Sequence, residues 1–146
     1  MAAYWLQLAV RSVDAVARVL PWQRRRQPAQ HLRTGRVGEE EAYFWLRRQG
    51  YVMVARNWRS PRHRSEIDLV GWDGGILCFL EVKTRGKRDL VTAEAAVDYG
   101  KQQGLRAVAQ AYLGHLDPRP AFRFDVVTVY FEPSGPPDIR LIRNAF

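Results

Sequence analysis

The sequence predicts an α/β domain in which a mixed β-sheet is flanked by helices, and three observations carry that expectation. Segments of helical periodicity and segments of strand-like alternation follow one another in the order helix, three strands, helix, then one or two strands. The run Ile76-Leu77-Cys78-Phe79-Leu80 is apolar at every position, as a strand buried on both faces would be. Asp73-Gly74-Gly75 stands between two strand-like segments as a hairpin turn, so the sheet begins as a meander.

Taken in order, residues 4–20 read as a helix closed by Pro21, and the basic stretch Gln23-Arg24-Arg25-Arg26-Gln27-Pro28 has the composition of a solvated linker. At 146 residues the chain can build one real core but not two. It is therefore expected to divide into an N-terminal helix with a basic linker, residues 1–34, and a single domain, residues 35–146. The first segment can be a packing or dimerising helix, a membrane-surface arm or a DNA-gripping arm.

From Gly38 to Gln49 the pattern is helical, with Ala42, Tyr43 and Leu46 on one face and Gly50 placed to stop the helix. Glu39 falls on the same stripe. An inward carboxylate must be paired, hydrogen-bonded or bound to a cation, unless it merely favours the positive end of the helix dipole. Strands are expected over Tyr51 to Arg56, Glu66 to Trp72 and Ile76 to Thr84. A second helix is expected from about Ala93 to Leu113, where Leu105, Val108, Ala109, Tyr112 and Leu113 recur at helical spacing and Lys101 lies one turn ahead. Phe122 to Phe131 alternates as a strand, and Ile139 to Ile142 adds a short edge strand.

A formal net charge of +8 suggests a polyanionic partner, nucleic acid more often than an anionic membrane. Its distribution weakens the inference for the core: seven arginines against one aspartate fall in residues 1–36, leaving sixteen basic and fourteen acidic residues after them. A single cysteine, Cys78, excludes an internal disulfide framework and any multi-cysteine zinc site, and fits a reducing cytoplasm. The apolar residues near the N-terminus lack a basic region before them and a cleavage site. Arg11, Asp14 and Arg18 interrupt the run of about 20 apolar residues that a membrane-spanning helix requires. A cytoplasmic protein with no transmembrane segment is the expectation.

The third strand runs directly into Glu81-Val82-Lys83, which puts a carboxylate and an ammonium group on one face at period two. Glu66 and Asp68 share a face of the preceding strand, and the short turn makes the two strands antiparallel neighbours, so Asp68 and Glu81 can converge. Two hard oxygen ligands suit Mg²⁺ (or Mn²⁺), which keeps several waters and takes phosphate oxygens from its substrate. Lys83 could orient a water or stabilise developing negative charge. An isolated pairing of Lys83 with Glu81 or Asp68 at a strand end would be an ordinary salt bridge without chemistry. The added carboxylate of Glu39 and the added cation of Lys101 turn the balance toward a site.

Arg56, Arg59, Arg62 and Arg64 precede that place and Arg85, Lys87 and Arg88 follow it, so Arg59, Arg62, Arg64, Arg85 and Lys87 are candidates to neutralise a phosphate backbone. A solvated loop with ordinary surface charge is the alternative. Trp58 and Trp72 could stack on unpaired bases or simply pack. His31, His63 and His115 are far apart in sequence, and Gly35 and Gly38 lack the following Lys-Ser/Thr of a nucleotide-binding loop, so neither a zinc site nor ATP hydrolysis is expected.

The segments Gly35-Arg36-Val37-Gly38-Glu39-Glu40-Glu41-Ala42, Glu66-Ile67-Asp68-Leu69-Val70, Phe79-Leu80-Glu81-Val82-Lys83-Thr84-Arg85, Arg123-Phe124-Asp125-Val126-Val127 and Asn144-Ala145-Phe146 together resemble the YraN family. That family is similar to archaeal Holliday-junction resolvases and is grouped with the restriction-endonuclease-like nucleases of PD-(D/E)xK type. The resemblance covers roughly residues 35–146. It implies a restriction-endonuclease-like fold with an extra N-terminal helix, Asp68, Glu81 and Lys83 as the metal-binding and catalytic signature, Glu39 as the helix-borne acid beside the metal, and Lys101 as an auxiliary. Ser65 stands where the family usually has Gly, and Ile67 where Pro often precedes the signature Asp. Neither change removes a ligand.

The expectation is thus a Mg²⁺-dependent endonuclease acting on DNA, branched DNA being one candidate substrate. A non-catalytic nucleic-acid-binding protein on the same fold is the alternative. Two coordinated cuts in a branched substrate would require a symmetric homodimer, whereas a nickase could be monomeric.

Overall fold

A computed structural model of the chain describes residues 30–85 and 97–146. The helix expected over residues 4–20, the basic stretch after it, Lys87, and the helix start expected at Ala93 lie outside the described residues. The described elements run α1 (Gln30–Arg48), β1 (Val52–Arg59), β2 (Glu66–Asp73), β3 (Ile76–Arg85), α2 (Tyr99–Leu113), β4 (Phe122–Tyr130) and β5 (Asp138–Ile142).

The strands form one sheet in the order β1-β2-β3-β4-β5. Each neighbouring pair is antiparallel except β3 and β4, which are parallel. A parallel neighbour cannot be reached through a tight turn, so the chain crosses over through α2 between β3 and β4. This is the mixed α/β sheet expected, and it is compatible with a restriction-endonuclease-like fold. Among the described residues, no helix is long and apolar enough to cross a membrane.

The central position of β3 follows from its composition, since Leu77, Cys78, Phe79 and Leu80 are all buried and feed two cores. On one face Cys78 and Leu80 pack with Leu69, Val127 and Val129 under Ala42, Tyr43 and Leu46 of α1. On the other, Leu77 and Phe79 pack with Ile67, Val70, Phe124 and Val126 under Leu105, Val108, Ala109 and Leu113 of α2. The inward stripes expected of both helices are those observed. Cys78 is core, and burial pushes its thiol up to about 12, out of the nucleophilic range.

Boundaries moved where tertiary contacts overrode local signals. α1 begins at Gln30 rather than Gly38, since its earlier residues include good helix formers and a glycine within a helix costs only about 1 kcal/mol. β1 runs past Arg56 to Arg59 because β2 lies beside it, pairing Trp58 with Ile67 and Arg59 with Glu66. Within the described residues α2 begins at Tyr99, capped by Asp98, whose carboxylate accepts from the Lys101 amide at 2.9 Å. The β2–β3 turn is as tight as its glycines allow: Asp73 pairs with Ile76, and Gly74 adopts φ +59.

Candidate functional site

Strand parity places the site. Leu69 pairs with Leu80 and Val70 with Phe79, so Asp68, Glu81 and Lys83 lie toward the face that α2 covers. The alternation of β2 breaks before Leu69, since Ile67 also packs under α2, and Glu66, expected to share a face with Asp68, turns instead to the side of α1. Just past the last of these pairs, the Val82 amide donates to the Asp68 carboxylate at 2.7 Å. That bond ties Asp68 to β3 and brings it beside Glu81.

Glu81 is almost wholly buried, at 3% exposure, where a lone carboxylate would be costly. Two ammonium groups meet it: Lys83 from its own strand at 2.9 Å, and Lys101 from the first turn of α2, both on Oε1. Among the described residues, the second oxygen, Oε2, is buried with no hydrogen-bond partner. Such an atom costs about 1–3 kcal/mol if it stays unpaired.

Asp68 is shifted by its burial and by the charge beside it. Desolvation, the Glu81 carboxylate and, more weakly, Glu39 push its carboxyl up to about 7, against the pull of the Val82 amide and Lys101. Burial opposes the charge on Lys101, yet the bond to Glu81, with the fields of Glu81 and Asp68, outweighs it and holds the ammonium above the ordinary lysine value. Among the described residues one buried carboxylate oxygen lacks a partner, and its neighbour resists ionisation because burial and the Glu81 charge oppose it.

Glu39 approaches from α1. Gly38 lies so close to β3 that a Cβ there would sit 2.0 Å from Thr84 Oγ1, so only glycine lets the helix come this near. Asn57 of β1 then joins the helix to the sheet, donating to Glu39 Oε2 at 3.0 Å and Glu66 Oε1 at 3.3 Å. Glu66 also accepts from Arg59. A second glycine seats α2: a Cβ on Gly104 would lie 2.1 Å from the Ser65 hydroxyl, at the entry to β2.

The structure therefore brings together Asp68, Glu81, Lys83 and Lys101, with Glu39 close enough to act on Asp68 through its charge. Arg59 is exposed and ion-paired with Glu66, Arg62 and Arg64 are exposed in the β1–β2 connection, and Arg85 ends β3. Trp58 packs edge-on against Tyr112, with ring centroids 5.1 Å apart, so packing is the role observed for it. Three features escaped the sequence: Asn57, and the close approaches of Gly38 and Gly104. Nothing in the sequence marked the first, since Asn57 stands just past the run Tyr51 to Arg56 that reads as a strand.

The donor set suits a hard divalent cation, because a positive charge between Asp68 and Glu81 would give Glu81 Oε2 a partner and relieve the repulsion between the two carboxylates. Among the described residues, no three His, Cys, Asp or Glu side chains are gathered tightly enough to hold an ion by themselves. Two protein carboxylates with water and phosphate oxygens completing the shell is the usual Mg²⁺ arrangement.

Residues 38–129 match the signature of an uncharacterised protein family, UPF0102. A UPF0102 protein of Koribacter versatilis is 53% identical over 140 residues, covering 96% of this chain and 93% of that protein. One of Solibacter usitatus is 47% identical over 124 residues, 84% of this chain and 90% of its own length. One of Symbiobacterium thermophilum is 47% identical over 116 residues, 78% and 96% respectively.

Proposed function

This chain belongs to the uncharacterised protein family UPF0102, and from that premise we propose that it is a metal-dependent endonuclease hydrolysing phosphodiester bonds in DNA, branched or otherwise structured DNA included. The observation that carries the proposal is the incomplete charge at Asp68 and Glu81, two adjacent carboxylates of which one oxygen is buried without a partner. A protein gains no stability from that arrangement, whereas a cation-dependent site needs it.

Asp68 and Glu81 would hold Mg²⁺ or Mn²⁺, with Glu39 assisting. The ion would polarise the scissile phosphate and lower the pKa of a bound water. Lys83 lies on the same strand face as Glu81, two residues on, where its ammonium can orient the attacking water or stabilise charge developing on the phosphate. Lys101 shares Glu81 Oε1 with it, so the pair keeps one oxygen neutralised and leaves the other for the cation. Arg62, Arg64 and Arg85 would meet backbone phosphates, giving affinity without sequence preference. Removing any one of them should flatten the salt dependence of DNA binding by about one phosphate contact.

The test is cleavage of labelled linear, flapped and four-way-junction DNA with Mg²⁺ or Mn²⁺, comparing wild type with Glu81→Gln and Lys83→Ala. Metal-dependent cutting that falls by about 100-fold or more in both variants supports the proposal. Binding of all three DNAs with no cutting under either metal would instead establish the protein as a non-catalytic nucleic-acid binder, with the acidic pair serving architecture.

A further inference from the structure

We infer, building on the nuclease proposal above, that Asn57 is a positioning residue of this site, its carboxamide fixing Glu39 of α1 beside the Asp68–Glu81 pair. Asn57 lies inside β1 between Arg56, paired with Leu69, and Trp58, paired with Ile67, which puts it across from Asp68. Its backbone is left-handed there, with φ 49, in a strand whose neighbours are extended. A non-glycine residue in that conformation costs about 1–3 kcal/mol and persists only where its surroundings hold it.

The surroundings here are two carboxylates. The side-chain amide donates to Glu39 Oε2 at 3.0 Å and to Glu66 Oε1 at 3.3 Å, so both of its protons go to acids on different elements. Glu66 is itself anchored by Arg59, which makes it a fixed point on β2. Glu39 is delivered to the sheet by the contact of Gly38 with Thr84 and is held there by Asn57. A neutral donor is the chemistry this place requires. A lysine or arginine would neutralise Glu39 and withdraw it from a cation, whereas an amide orients the carboxylate and leaves its charge intact. Partners of this kind, which orient a ligand without touching the ion, typically change metal affinity by about 10- to 100-fold.

The experiment titrates the full chain with Mn²⁺ alone and follows the melting temperature in wild type, Asn57→Gly, Glu39→Gln and the double variant. Glycine accepts φ 49 without strain, so Asn57→Gly removes the amide and spares the backbone. The expected result is an unchanged metal-free melting temperature, a Mn²⁺ midpoint raised about 10-fold in either single variant, and no further rise in the double variant. If Glu39→Gln raises the midpoint while Asn57→Gly titrates like wild type, or if the two effects multiply in the double variant, the positioning role is overturned and the nuclease proposal stands. A wild type that Mn²⁺ does not stabilise overturns both.

Discussion

Among the described residues, two buried clusters of charge lie in this sheet, one complete and one with an oxygen left over. On the α1 face, Arg123 of β4 donates to both oxygens of Asp125 at 3.0 and 2.9 Å, to the Tyr51 hydroxyl at 2.9 Å and to Asp73 at 2.7 Å. The Asn144 amide closes on Asp125 at 2.8 Å. On the α2 face, Asp68 and Glu81 share their positive charge with one carboxylate oxygen left over. The acids respond in opposite senses. Bonding to Arg123 lowers the carboxyl of Asp73, whereas desolvation and Glu81 raise that of Asp68. The first cluster locks β4 and the C-terminal residues to the β2–β3 hairpin. Among the described residues, the second leaves one carboxylate oxygen unsatisfied, which is the difference between the two clusters on which the functional proposal rests.

The sharpest break in that comparison removes one partner from the complete cluster. Arg123→Met leaves Asp125, fully buried, without its cation, and should cost about 3–5 kcal/mol in urea unfolding. Adding Asp125→Asn should recover part of the loss.

The incomplete cluster should behave the other way. Between the ordinary aspartate value of 3.8 and about 7, the unfolded chain has lost the Asp68 proton while the folded one keeps it, so metal-free stability falls as pH rises through that window. Asp68→Asn should remove this slope and raise metal-free stability at pH ~7.5 by about 2 kcal/mol. Asp73, lowered in the fold, contributes stability above its ordinary value that is lost as pH falls through its folded value, so Asp73→Asn should alter only the acid limb. Finding both differences on the same limb would erase the contrast.

Mn²⁺ at saturating concentration should then raise the melting temperature by several degrees, as about 2 kcal/mol of binding linkage implies, in wild type and Asp73→Asn but not in Asp68→Asn or Glu81→Gln. The smallest effect tests how the second cluster is assembled. Gly104→Ala should cost about 1–2 kcal/mol through its collision with Ser65, and Ser65→Gly should restore it. Failure of that rescue would mean that α2, with Lys101, is seated by some other contact.

Much of the second cluster was legible because its geometry is local. Asp68, Glu81 and Lys83 lie on two strands joined by a two-residue turn, and strand alternation with a tight hairpin fixes which side chains share a face before anything else packs. The apolar run of β3 likewise announced a strand covered on both sides, and the stripes on α1 and α2 announced what covers it. Far less of the first cluster could be read. The segment Arg123-Phe124-Asp125 carried the family resemblance, but nothing in its spacing tied it to Tyr51 or Asp73, which stand 72 and 50 residues away from Arg123 in sequence.

The sequence by itself determined the α/β class, the two buried faces of the sheet and the meeting of Asp68 with Glu81, since periodicity and a tight turn act over a few residues and leave little freedom. Only the tertiary structure decided how closely the helices approach, through Gly38 at Thr84 and Gly104 at Ser65, and with them the arrival of Glu39 and Lys101. It also decided the left-handed turn of Asn57 and the bonds by which Arg123 joins β4 to Tyr51 and to Asp73 of β2. Those features depend on volumes and hydrogen-bond partners contributed by remote segments, and no local pattern encodes them.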